Sequence, residues 1–287
     1  MIKETFVAVG HAARGLFRGW AGLALLHALY AALLATAYWF FATGVATTAQ
    51  LVVSAFTFLV APLLFFVLQA AAAHFAVGET RAPGALAARA LRDFWKMLVV
   101  ALPLVALGVG LYYLLGWLEG RLPAAEEAAR AVTSTGDAAP RPLSWQEAFV
   151  STLRLLLLGF ALPLMAAHLW LSVARDGLKA TLKGFHRVAG RAFRARSVLA
   201  YAVGLFFFAF MPYFVVFTRT PVKAAWGELL LFGLRLALAF VFTLWGWVVT
   251  LGALAALTAP PPAPDTAAAA APDPPTVPAA PEPQPQT

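Results

Sequence analysis

The chain lacks cysteine altogether, and charged residues make up only 12% of its 287 positions. The absence of cysteine excludes disulfides, thiolate metal ligands and cysteine nucleophiles within this sequence. A soluble domain carries about twice that share of charged residues, whereas 62% of these residues are hydrophobic. Because so few polar side chains cannot cover a soluble fold, the composition predicts a protein that is solvated largely by lipid.

Acidic residues are also scarce, with 13 Asp and Glu against 21 Lys and Arg and a net charge of +8. An excess of cations can indicate binding to nucleic acid, but in an apolar chain clustered cations more often mark the cytoplasmic side of a membrane. We therefore expect no nucleic-acid partner. A P-loop, an H-E-x-x-H motif and a G-x-S-x-G motif are all missing from the sequence. We expect no enzymatic activity, no cofactor and no bound metal.

Six apolar runs are each long enough to cross a bilayer as a helix. At a rise of 1.5 Å per residue, about 20 residues traverse ~30 Å of hydrocarbon, and a helix satisfies its own backbone hydrogen bonds there. The predicted fold class is therefore all-α, a polytopic membrane protein with six transmembrane helices. These spans cover approximately residues 20–44, 51–76, 94–118, 148–173, 198–217 and 229–257.

Lysine and arginine predict the orientation of these spans. They concentrate before the first span, between the second and third, and between the fourth and fifth, whereas the loops on the other side hold few. The positive-inside rule then predicts a multi-pass protein of the cell (inner) membrane with both termini cytoplasmic. The Pro- and Ala-rich residues 259–287 predict a disordered cytoplasmic tail that follows a transmembrane domain of residues 1–258.

A short basic pattern precedes the first, third and fifth spans. Its three copies contain Arg14-x-Leu16, Arg89-x-Leu91 and Arg191-x-Phe193. Copies at equivalent topological positions predict three repeated units, each an amphipathic surface helix followed by a transmembrane hairpin. The units cover approximately residues 1–80, 81–175 and 176–258.

This threefold layout resembles the six-helix membrane domains of unknown role found beside bacterial glycerophosphodiester phosphodiesterases. The three Arg-x-Leu or Arg-x-Phe copies carry the resemblance, which covers residues 1–258. It implies a membrane domain of three surface-helix and hairpin units. The catalytic barrel of those phosphodiesterases has no counterpart in this sequence, so the resemblance implies no active-site residue.

The basic segments predict a lipid-binding surface. At 100° per residue, the cations of residues 176–196 gather on one side of a helix and the apolar residues on the other. Residues 2–18 show the same division, and such helices lie in the interface with their cations toward anionic headgroups. The first hypothesis is a protein that organises lipids or partner protein subunits through this surface. The cations assigned to it are Lys179, Lys183, Arg187, Arg191, Arg194, Arg14 and Arg18.

Two arginines inside the predicted spans support an alternative. Arg154 and Arg235 each lie some two turns from the outer interface of the membrane, on the side away from the cytoplasm. There they could share a cationic pocket for a phosphate, carboxylate or lipid headgroup. The alternative function is a transporter or lipid-handling protein. Among the histidines, His74 and His168 are expected to be solvated at the cytoplasmic interface, and His27 to make an interhelical hydrogen bond.

Overall fold

The computed structural model describes residues 2–44, 46–78, 82–121, 144–218 and 225–259. Nearly all of these residues are helical, and no strand occurs among them. Two π-helical segments, π1 and π2, interrupt the fourth and fifth long helical stretches. In chain order the elements are α1 (Ile2–Phe17), α2 (Trp20–Ala42), α3 (Thr48–Val77), α4 (Pro83–Gly120), α5 (Trp145–Arg154), π1 (Leu155–Ala161), α6 (Leu162–Lys183), α7 (Phe185–Ala192), α8 (Ala195–Leu205), π2 (Phe206–Phe210), α9 (Met211–Phe217) and α10 (Ala225–Thr258).

Six helical stretches among the described residues are long and apolar enough to cross a bilayer, as predicted. The all-α class is confirmed, and the architecture is compatible with a multi-pass membrane protein. The predicted tail lies outside the described residues except for Ala259. The six stretches are Trp20–Ala42, Thr48–Val77, Pro83–Gly120, Trp145–Lys183, Ala195–Phe217 and Trp226–Thr258.

Local sequence signals account for several helix ends. Capping boxes start α3 and α5, where the Thr47 and Ser144 hydroxyls accept from the backbone N–H groups of Gln50 and Glu147, and those side chains bond back. Gly78 ends α3 in the left-handed conformation at φ 84°, which glycine adopts without a Cβ clash. These signals determine where α3 begins and ends and where α5 begins.

Two of the three predicted surface helices differ from the prediction. The middle copy is not a separate helix, because residues from Pro83 to Gly120 continue unbroken into the third span. No glycine or proline lies between Gly84 and Pro103 to break it. The segment 176–196 is not one helix either, since Gly177 adopts φ 79° and ψ 168° and α6 ends at Gly184. Both interruptions fall at glycine, which tolerates backbone angles that other residues avoid.

The centre of the bundle is the second half of α3. Every residue from Phe66 to Phe75 is buried, and α3 packs against α2, α4, α6 and α10. The small side chains of Ala70–Ala73 let neighbouring helices approach closely. Towards the other ends of the spans the apolar side chains are exposed, Phe41 by 84%. The core therefore occupies the half of the bundle near α1, and the other half presents apolar surface outward.

Two indole hydrogen bonds join α10 to its neighbours. Trp245 Nε1 donates to His27 Nε2 at 3.1 Å, and Trp247 Nε1 donates to Gln69 Oε1 at 2.8 Å. Because an indole only donates, His27 accepts at Nε2, and its Nδ1 donates to the Leu23 carbonyl at 2.8 Å. The predicted interhelical hydrogen bond of His27 is confirmed.

Candidate lipid-facing surface at the basic end

One end of the bundle carries most of the described charge, and we call it the basic end. It consists of α1, α7, the last turns of α3, α6 and α10, and the first turns of α4 and α8. A Glu4–Arg196 ion pair of 3.0 Å joins α1 to α8 there. Glu4, Asp93 and Asp176 are the acids among its described residues. Its described cations are Lys3, Arg14, Arg18, Arg89, Arg92, Lys96, Arg175, Lys179, Lys183, Arg187, Arg191, Arg194 and Arg196.

Arg175 holds the last helix in place at this end. Its guanidinium donates to the carbonyls of Ala255 at 3.0 Å and Thr258 at 3.1 Å. These carbonyls belong to the last turn of α10, which has no further helical N–H groups to pair with. A cation at a helix C-terminus also interacts favourably with the helix dipole. The contact links the end of the sixth span to the end of the fourth.

Helix α1 divides into three sectors. The first sector packs against α10 and α8 through the buried Thr5, Ala8 and Leu16. The second is apolar and includes the exposed Ile2 and Phe6. The third is cationic apart from the exposed Val7, and at 100° per residue it lies on the far side of the apolar sector from the buried one. Its members are Lys3 and Arg14; Arg18 follows directly after the end of the helix, and Arg14 and Arg18 are both exposed as predicted.

The second predicted cationic segment is split between α6 and α7. Thr181 is its buried residue in α6, and Val188 and Ala192 are buried in α7 and attach that helix to the bundle. Leu182, Phe185 and Phe193 project as exposed apolar side chains beside the cations. Four of the predicted cations, Lys179, Lys183, Arg187 and Arg194, are exposed, and Arg191 is partly buried.

Exposed apolar and cationic groups therefore lie side by side at the basic end. Water alone does not favour exposed Phe6, Phe185 and Phe193, because large apolar side chains gain free energy when they leave water. A bilayer interface satisfies both groups, because acyl chains cover the apolar sector while headgroups face the cations. Exposed Trp20 and Trp95 belong to the same end, and indoles concentrate at the headgroup level.

Sequence reasoning missed a buried ionic cluster between α3 and α4. His74 Nε2 lies 3.0 Å from Asp93 Oδ2, and Lys96 Nζ lies 2.5 Å from Asp93 Oδ1. His74 is 3% exposed and Asp93 5%. The expectation that His74 is solvated was therefore wrong, and so was that for His168, which is 4% exposed. Both histidines lie on helices that neighbouring helices surround. Their distance from the end of their own span, on which the expectation was based, does not reveal this packing.

The acid of this cluster carried a signal in the sequence. Asp93 is the one carboxylate near the start of the third predicted span, and Lys96 follows three residues later. Residues at that spacing are neighbours on one helix. A charged residue at the edge of a span needs a partner, so an interhelical partner for Asp93 could have been expected. Its identity as His74 required the packing of α3 against α4.

The two arginines of the alternative hypothesis occupy different surroundings. Arg154 pairs with Glu119 of α4 at 2.5 Å, and its guanidinium lies over the Tyr112 ring at 5.7 Å. Arg235 is carried by α10, which packs against α1, α3, α8 and α9. The structure thus brings Glu119 to Arg154, which the sequence analysis did not foresee. A pocket shared by Arg154 and Arg235 stays a prediction.

A groove of about 600 Å³ lies below this ion pair, between α3, α4 and the stretch from π1 to α6. Aromatic side chains line it, including Tyr112, Tyr113 and Trp170. The π1 segment forms one wall just before Pro163. There the Leu162 N–H bonds to the Leu157 carbonyl, five residues back, as in a π-bulge. Proline has no N–H and breaks the regular helical ladder, which accounts for the wider turn.

No family model matches this sequence, and no match is found among curated proteins or solved structures. The resemblance to the six-helix domains beside glycerophosphodiester phosphodiesterases therefore stays a prediction. What the protein does has to be inferred from the geometry of its own surfaces.

Proposed function

We propose that this protein is an integral protein of the cell (inner) membrane that organises surrounding anionic lipid through its basic end. Both termini and the basic end face the cytoplasm. The apolar sectors of α1 and α7 lie among acyl chains, and the adjoining cations bind headgroup phosphates. Partner subunits in the membrane are the second class of ligand that this surface could hold.

The observation that supports this proposal most directly is the three-sector division of α1. A helix that only packed on the bundle would have one buried side and a polar remainder. In α1 an exposed apolar sector that contains Ile2 and Phe6 separates the buried sector from the cationic one. This sequence of sectors matches a helix that touches protein on one side, acyl chains below and headgroups above.

The expected strength follows from the number of cations. Each Lys or Arg near an anionic leaflet contributes about 1 kcal/mol. Neutralising three exposed cations should therefore weaken the interaction by up to about 3 kcal/mol, which is roughly a hundredfold in affinity. Salt should weaken it too, because exposed charges are screened over about 8 Å at physiological ionic strength.

The test replaces Lys179, Lys183 and Arg187 together by glutamine. Protein purified in mild detergent is analysed by native mass spectrometry with added phosphatidylglycerol or phosphatidylcholine. The unmodified protein should retain phosphatidylglycerol preferentially, and the triple variant should lose that preference. The matched control carries Lys179→Arg, Lys183→Arg and Arg187→Lys, which preserves charge and should behave like the unmodified protein.

The same experiment separates lipid binding from subunit binding. Equal retention of phosphatidylglycerol by the glutamine variant and the control would refute lipid binding by these cations. Release of a co-purifying protein from the glutamine variant, with lipid retention unchanged, would assign the surface to a partner subunit.

A further inference from the structure

We infer that the groove beside Arg154 is a binding site for an aminophospholipid, a glycerophospholipid whose headgroup carries a phosphate and a primary ammonium. One acyl chain lies along the groove, the phosphate bonds to Arg154 and the ammonium bonds to Glu119. This site is at the opposite end of the bundle from the basic end, so it does not depend on the function proposed above.

The length and lining of the groove fit one acyl chain. On α4 the lining residues run from Ala101 to Tyr113, and on π1 and α6 they run from Leu158 to Trp170. Each wall spans twelve residue steps, roughly 18 Å at 1.5 Å per residue. That is more than half of the ~30 Å hydrocarbon core, so the groove extends from one interface past the middle of the membrane.

The groove opens towards lipid and not towards another part of the bundle. Val105, Val109 and Tyr113 line it and are among the exposed large apolar side chains. In a bilayer such a concave apolar surface is in contact with acyl chains, and a chain that fills it contacts protein on several sides. Close packing of this kind is what drives association within lipid.

The ion pair lies at the mouth of the groove, at headgroup level. Arg154 precedes the lining residue Leu158 by one turn, and Tyr112, which also lines the groove, lies beneath the guanidinium. The exposed Trp117 of α4 lies closer to the C-terminal end of its helix than Tyr112 does, and the exposed Trp145 is the first residue of α5, whereas Arg154 is the last. Since indoles concentrate at the membrane interface, Glu119, two residues beyond Trp117, lies at that level and Arg154, which pairs with it, lies just inside, where lipid phosphates and glycerol groups are found.

The charges at the mouth match a zwitterionic headgroup. The Arg154 and Glu119 side chains are 32% and 38% exposed, so a headgroup can reach both. The Arg154 Nε–H is buried without a partner among the described residues, so a headgroup must reach the other N–H groups of this partly exposed guanidinium, which has five donors and uses few of them on Glu119. A phosphate is a suitable acceptor for these groups. The adjacent Glu119 carboxylate repels a purely anionic headgroup and attracts an ammonium group, and this selects the amine-bearing lipid.

The test compares phosphatidylethanolamine, phosphatidylcholine and phosphatidylglycerol by native mass spectrometry on the full chain. The unmodified protein should retain phosphatidylethanolamine over phosphatidylcholine, whose quaternary ammonium cannot donate a hydrogen bond. Arg154→Gln should lower retention of phosphatidylethanolamine roughly tenfold or more, since it removes a charge-assisted contact. In the background of the Lys179, Lys183 and Arg187 glutamine variant, which removes phosphatidylglycerol binding at the basic end, Glu119→Gln should shift retention from phosphatidylethanolamine towards phosphatidylglycerol, because the arginine then lacks its negative neighbour.

Control variants separate this site from general effects. Arg121→Gln removes a cation at the same end, whose guanidinium lies over Trp117 at 4.7 Å, and it should leave phosphatidylethanolamine retention unchanged. Gly108→Val narrows the groove, because even a Cβ at Gly108 would lie 3.2 Å from Leu162 Cδ1, and it should lower retention with the ion pair intact.

Either of two results would overturn the inference: equal retention of phosphatidylethanolamine and phosphatidylcholine by the unmodified protein, or an unchanged lipid preference after Glu119→Gln in the triple glutamine background. The glutamine variant of Lys179, Lys183 and Arg187 should keep its phosphatidylethanolamine preference. Failure of lipid binding at the basic end and failure of binding in the groove are therefore distinguishable.

Discussion

Substituting Gly204 by alanine should destabilise the protein through one contact between α8 and α10. A Cβ at Gly204 would lie 1.9 Å from Thr250 Oγ1 and 2.7 Å from Thr250 Cγ2. These separations are far below van der Waals contact, so a helix or the threonine must move. Thr250 is 1% exposed, and its hydroxyl donates to the Gly246 carbonyl at 2.6 Å, so rotation of its side chain breaks that bond.

The magnitude follows from two opposing effects. Overpacking in a close-packed interior costs about 1–3 kcal/mol, whereas alanine favours a helix over glycine by up to about 1 kcal/mol. A 1.9 Å approach belongs at the upper end of the overpacking range, so the expected loss in the free energy of unfolding is about 2 kcal/mol. Thr250→Ala removes the two closest atoms, but its Cβ would still lie 2.8 Å from the new methyl group. The double variant should recover part of the loss, with a coupling above about 0.5 kcal/mol.

The assay is unfolding by denaturant in detergent, followed by tryptophan fluorescence, because Trp245 and Trp247 lie within two turns of Thr250 on α10. Gly233→Ala on α10 is the matched glycine-to-alanine control, since a Cβ there meets nothing within 4 Å. That variant should be unchanged or slightly more stable. A Gly204→Ala protein as stable as Gly233→Ala would refute the close packing of α8 on α10.

Three further substitutions test contacts elsewhere. Asp93→Asn should lower the free energy of unfolding by about 3 kcal/mol, as breaking a buried pair does. The substitution removes the negative charge that faces His74 and Lys96, and denaturant unfolding measures the loss. Arg175→Gln should speed hydrogen exchange in the last turn of α10, which loses two bonds to its carbonyls. Trp245→Phe should cost about 0.6 kcal/mol in the same unfolding assay, a typical value for an interhelical hydrogen bond in a membrane, because His27 loses its donor.

Each of these substitutions has a control with the same chemistry. Asp176→Asn and Trp20→Phe alter exposed side chains and should leave the unfolding curve unchanged. Arg196→Gln removes the exposed ion pair with Glu4, which is worth less than about 1 kcal/mol, and should not alter exchange at the end of α10. Equal effects in a test variant and its control would contradict the packing on which that prediction depends.

Hydrophobic runs and helix-end signals were sufficient to predict the six long helices, because they are properties of contiguous residues. Trp20 begins α2 as expected, and the fourth and sixth predicted spans lie inside Trp145–Lys183 and Trp226–Thr258. The extent of the surface helices was predicted less well. Gly177 and the unbroken start of α4 show that a change of periodicity does not establish where one helix ends and another begins.

The candidate sites divide in the same way. Lys179, Lys183, Arg187 and Arg194 are exposed, as the helical repeat of 176–196 predicted, although the structure interrupts that repeat at Gly184. The partners of Arg154 and Asp93 could not be predicted from the sequence, since Glu119 is separated from Arg154 by 35 positions and His74 from Asp93 by 19. Contacts at such separations depend on which helix faces which, and many arrangements of six apolar helices have similar hydropathy.

The sequence by itself determined that this chain forms six long apolar helices. It also placed most of the positive charge before the first helix and in every second connection between helices. Burial of apolar groups and the hydrogen-bonding needs of the backbone act locally, so composition and spacing express them directly. Only the tertiary structure decided that α3 is the centre, that His74 and Asp93 are buried together, and that Arg154 meets Glu119 above an apolar groove. Side-chain shape and the close approach of small residues select the partners of each helix, and these become defined only when the helices pack.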